Sequence, residues 1–101
     1  MNSTRLEQQV TKLEQLGLNV KVNKSIGNAI DVHAELIKNL KTFIMIDFGF
    51  LEAPKGFSDI YLLRMVMKDT EPFAPKLNTE EDFHNAIDEC IEIAENYIGK
   101  L

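Results

Sequence analysis

The sequence predicts a single α+β domain over residues 1–101, with an N-terminal helix, a four-stranded antiparallel meander and a C-terminal amphipathic helix. Three observations carry that expectation. Apolar residues recur at helical spacing over residues 4–16 and again over 79–99. Between those stretches they recur at the two-residue period of strands. The links between the strand-like stretches are too short for parallel crossovers, which need a dozen or more residues. With 45% hydrophobic and 27% charged residues, the composition is that of a packed globule.

In the first helix, Leu6, Val10, Leu13 and Leu16 form one narrow stripe. Thr4 and Glu7 make a T-x-x-E capping box, and Gly17 is a natural stop because it tolerates the left-handed conformation. Leu18, Val20 and Val22 then alternate with Asn19, Lys21 and Asn23 as a short strand, and NKSIGN reads as a turn.

Residues 29–40 carry two patterns. Ile30, Val32, Ala34 and Leu36 alternate with Asp31, His33 and Glu35, the strand period. Ile26, Ile30, Ile37 and Leu40 instead suit a helix over 25–40, which would give the order α-β-α-β-β-α. Such a helix would have to hand over to the next strand within one or two residues and without a glycine. The strand is therefore preferred, with Lys38-Asn39 as a tight turn.

Residues 42–51 are the clearest strand, rich in Phe and Ile. EAPKG is a loop, and residues 59–68 form the fourth strand. Pro72 and Pro75 make Thr70 to Lys76 an extended surface crossing. Asn78 or Thr79 caps the final helix, whose opening Glu80, Glu81 and Asp82 suit its dipole.

Charge is divided unevenly. Of a net −5, residues 1–77 hold ten Lys/Arg against nine Asp/Glu, while residues 78–101 hold one Lys against seven Asp/Glu. The acidity argues against binding nucleic acid, which needs clustered Lys and Arg, and permits attraction to a basic protein partner. In the last helix Asp88, Glu92 and Glu95 lie opposite an apolar sector of Phe83, Ala86, Ile87, Cys90, Ile91 and Ala94. This outer face is either solvated or a docking surface.

The two central strands are apolar on both sides. Covering one side with both helices leaves Phe43, Met45, Ile60, Leu62 and Val66 on the other, a patch that suits an interface such as a homodimer. Asp47 interrupts that patch, and pairing with Arg64 on the next strand would explain it.

Candidate chemistry is sparse. Asp31, His33 and Glu35 share one side of a strand and offer metal ligands or a histidine base with a carboxylate. The pattern also arises on any half-exposed strand. His84 and Asp88 read as an ordinary surface pair, and Cys90 as a buried, inert residue. The glycines form no phosphate-cradling loop, so no cofactor is expected.

The N-terminus has no signal-like apolar core, no run is long enough to span a membrane, and the single cysteine excludes an internal disulfide; a cytoplasmic location is expected. The leading functional reading is a non-enzymatic protein-binding domain. By analogy alone, on its amphipathic helices and compact acidic fold, an inhibitor or immunity-type antagonist is one form of it. A small metal-dependent or acid–base enzyme using Asp31, His33 and Glu35 is the alternative, and a structural homo-oligomer subunit a third.

Overall fold

The computed structural model describes residues 1–25 and 28–101. Helix α1 (Ser3–Gln15) leads into strands β1 (Asn19–Ser25), β2 (Ala29–Lys38), β3 (Lys41–Leu51) and β4 (Ile60–Met67), and helix α2 (Glu80–Gly99) closes the chain. The strands form one antiparallel sheet in the order β1-β2-β3-β4, the expected meander. The strand reading of residues 29–38 holds, and the helical alternative does not.

Several boundaries differ from expectation. The cap of α1 is Asn2, whose side chain accepts from the Arg5 N–H, so the helix starts before the Thr4 box. β1 runs on to Ser25, through the first half of the expected NKSIGN turn; Ile26 and Gly27 lie outside the described residues. The β2–β3 turn is Asn39-Leu40 rather than Lys38-Asn39, because Lys38 pairs with Lys41. Both turn residues have positive φ, 52° and 63°, as a two-residue type I′ turn demands. The last helix behaves as read, with Thr79 accepting from the Asp82 N–H. The proline-rich crossing lies beside β4, where Phe73 and Met65 exchange two backbone hydrogen bonds of 2.8 Å.

Both helices pack on one face of the sheet. The core joins Val32, Ala34, Ile44, Ile46, Phe48 and Met65 from the strands to Leu6 and Leu13 of α1 and to Phe83, Ile87, Cys90 and Ala94 of α2. Strand periodicity puts every second residue into this layer and sends the others to the opposite face. No described helix is long and apolar enough to cross a membrane.

The seam between the helices is polar where an ordinary surface was expected. Gln9 and His84 are 2% and 1% exposed. Gln9 Nε2 donates to the His84 carbonyl (2.9 Å) and to Asp88 Oδ1 (2.8 Å), and Gln9 Oε1 lies 2.9 Å from His84 Nδ1. Gln9 Oε1 can only accept, so His84 Nδ1 carries a proton and donates it. His84 is thus a buried helix-to-helix link and not half of a surface pair with Asp88. Burial, aided by the Arg5 charge, pushes its pKa down. Its Nε2 has no hydrogen-bond partner among the described residues.

Candidate functional site

The face away from the helices is open, and the register decides what meets on it. Cross-strand rows run Lys21–His33–Asp47–Arg64, Asn19–Glu35–Met45–Val66 and Asn23–Asp31–Gly49–Leu62. A polar row therefore crosses the centre with apolar positions on both sides of it, concentrated on β3 and β4.

At the centre, His33 Nδ1 lies 2.5 Å from Asp47 Oδ1 and Nε2 lies 3.2 Å from Glu35 Oε2. Hydrogen bonds to Asp47 and then Glu35 outweigh partial desolvation and raise the His33 pKa. Both ring nitrogens donate when the ring is an imidazolium, and this arrangement favours that form. An imidazolium has no lone pair for a metal or for accepting a proton. The structure therefore brings His33 and Glu35 together as the strand reading implied, but the third member is Asp47. Asp31 makes no hydrogen bond to His33 among the described residues. Asp47 does stand opposite Arg64, as expected, yet its carboxylate turns to His33 and makes no described ion pair with Arg64. Among the described residues, no group of three His, Cys, Asp or Glu is placed to hold a metal ion.

Next to this cluster, Gly49 leaves a depression of about 350 Å³ lined by Asp31, Asp47, Leu62, Arg64 and Ala74. A Cβ at Gly49 would stand 3.0 Å from the Ile30 carbonyl oxygen, so a side chain here would press the two strands apart by a few tenths of an ångström.

The anticipated apolar residues divide by exposure. Leu62 is 66% exposed, while Met45 and Val66 are half-buried. Phe43 is also half-buried; it packs against the core and carries the Lys68 ammonium 5.2 Å over its ring. Leu51 and Ile60 extend the exposed apolar surface to the end of the hairpin, where Phe57 is 76% exposed. Sequence periodicity found the strand positions but could not find Phe57, which belongs to a loop.

The acidic residues of α2 occupy the other side of the molecule. Glu92 and Glu95 are exposed there. Asp88 is tied to α1, accepting from Gln9 and from Arg5 Nη2 at 3.0 Å. Burial pushes the Asp88 pKa up, but the hydrogen bonds from Gln9 and Arg5 with the Arg5 and Lys12 charges outweigh it and hold the carboxyl below its ordinary value. No family model, curated protein or solved structure matches the chain.

Proposed function

We propose that this chain is a non-enzymatic protein-binding domain and that the open face of its sheet receives the partner. The observation that supports this reading is the placement of both helices on one face, which leaves Leu62 in water on one side of the Asp47–Arg64 row and Met45 and Val66 on the other. The partner's chemistry follows from the charges. Lys21, His33 and Arg64 balance Asp31, Glu35 and Asp47 on this face, so it suits a partner segment with apolar side chains around charges of both signs. The acidic Glu92 and Glu95 of α2 point the opposite way, so one small partner does not cover both surfaces. A cytoplasmic site of action and no nucleic-acid ligand complete the proposal. In its antagonist form, of the inhibitor or immunity type, a single cognate protein is the target.

The test is affinity capture from the native host with three baits: the natural chain, Leu62→Glu, and Glu92→Lys/Glu95→Lys. A protein held by the first and third baits and lost by the second supports docking on the sheet. Recovery of nothing at any salt concentration would sink the proposal, and loss only with the third bait would move docking to α2.

One observation favours an acid–base enzyme as a second reading: the Asp47 carboxylate orients His33 as a base would require. Glu35 must then release Nε2. Glu35→Gln should lower the His33 pKa and raise activity on a substrate; a variant with no such change removes this reading.

A further inference from the structure

We propose that the open face of the sheet receives a second copy of this chain, packed face to face about a two-fold axis that runs along the strands midway between β3 and β4. The inference rests on the open face being the docking surface, and it names the occupant.

The register of the hairpin makes that face complementary to itself. On the open side, β3 and β4 set Met45 beside Val66, Asp47 beside Arg64, Gly49 beside Leu62 and Leu51 beside Ile60. A two-fold axis between these strands carries β3 of the second copy over β4 of the first, at the same level along the strand. Each residue then faces the second copy of its own cross-strand neighbour. Asp47 of each copy meets Arg64 of the other, and the apolar rows on either side meet apolar rows. Exposed Leu62 points at Gly49, where the missing side chain leaves the depression of about 350 Å³. Charge meets opposite charge and protrusion meets hollow, each twice by symmetry. This is the self-complementary kind of contact that closes as a dimer.

Both charges are placed for this contact. Arg64 is exposed and makes no ion pair among the described residues, because Asp47 turns its Oδ1 to His33. A carboxylate accepts on both oxygens, so Asp47 can hold His33 and still receive a guanidinium. Facing sheets stand about 10 Å apart, a gap that an arginine and an aspartate span together. Aligned sheets cross at about 30°, which keeps the central rows matched.

Other axes lack this match. An axis along β3 sets Asp47 against Asp47, and one along β4 sets Arg64 against Arg64. An axis between β2 and β3 brings Lys21 to Arg64. An axis across the strands lays β3 on β3, so Asp47 and Arg64 never meet. The charge layout agrees with the choice. This face is balanced, whereas the acidic excess belongs to residues 78–101. Helix α2 packs on the far side of the sheet, so a face-to-face pair keeps both acidic helices outermost and apart.

Sedimentation equilibrium on the intact chain tests this. The expected mass is twice the 11.5 kDa of one chain. Leu62→Glu should weaken the dimer by about tenfold or more, with the circular dichroism unchanged because Leu62 is exposed. Arg64→Asp alone brings carboxylates together across the axis, and Asp47→Arg alone brings guanidiniums together. Each should be a monomer where the natural chain is a dimer. Mixed one to one, the two variants should recover a dimer holding one of each, because only then does every charge face its opposite. A role confined to the fold of one chain gives no such recovery. Leu62→Glu decides alone if a charge variant loses its native circular dichroism. A natural chain that stays monomeric up to about 1 mM overturns this proposal, while a host protein captured through Leu62 would still uphold docking on the sheet. A folded mixture that stays monomeric overturns it too, as does a dimer that survives Leu62→Glu.

Discussion

Replacing Gln9 with leucine should cost about 2 kcal/mol of stability, a figure that follows from what the side chain touches. Gln9 is buried and accounts for the only hydrogen bond of the His84 ring among the described residues. Leucine removes the acceptor of the Nδ1–H, leaving the imidazole in the core without a partner at either nitrogen. A buried donor stranded in this way costs about 1–3 kcal/mol. Asp88 loses one donor but keeps Arg5, and the His84 carbonyl loses a side-chain donor; together these add about 1 kcal/mol. Apolar burial of the leucine offsets about 1 kcal/mol. The expected net is a loss of about 2 kcal/mol, or a melting temperature lower by about 8–15 °C. Urea unfolding followed by circular dichroism measures it directly, with Gln8→Leu, one residue away and exposed, as the control. A loss below about 0.5 kcal/mol at an unchanged denaturant slope would refute the assignment of this network to stability.

Three further outcomes are expected. Leu40 is 100% exposed and held at φ 63°, so Leu40→Gly should stabilise the fold by about 0.5–1 kcal/mol in the same urea assay; destabilisation would show that the turn needs its side chain. Gly49→Ala presses a Cβ against the Ile30 backbone, which yields less readily than a side-chain tip, and should destabilise by about 1–2 kcal/mol; an unchanged midpoint would contradict the close approach of β2 and β3. The two histidines should titrate in opposite directions by NMR, His33 above 6.5 and His84 below it. The stability contributed by His33 is then fully present below pH 6.5 and lost as pH rises through its raised pKa, while that of His84 is present above 6.5 and lost as pH falls through its lowered one. Asp47→Asn should return His33 toward its ordinary value, and no change on that substitution would exclude Asp47 as the main cause.

Much of this architecture was legible in the linear pattern because its elements are set by local period. Alternation of Ile30, Val32, Ala34 and Leu36 with polar neighbours needs no partner to read as a strand, and the apolar sector of residues 83–94 reads as one face of a helix. Short links then force antiparallel neighbours. The same alternation, with both helices set on one side, puts Met45, Leu62 and Val66 on the open face. What tertiary structure alone decided was which polar groups meet. Asp47 stands between Arg64 and His33 in register, and only the side-chain geometry turns it to His33. Gln9 and His84 lie 75 residues apart in sequence and become partners because α1 and α2 cover the same face. A side chain's period is fixed by its own strand or helix, but its hydrogen bond depends on the neighbour that packing brings, and that is a property of the assembled sheet and helices.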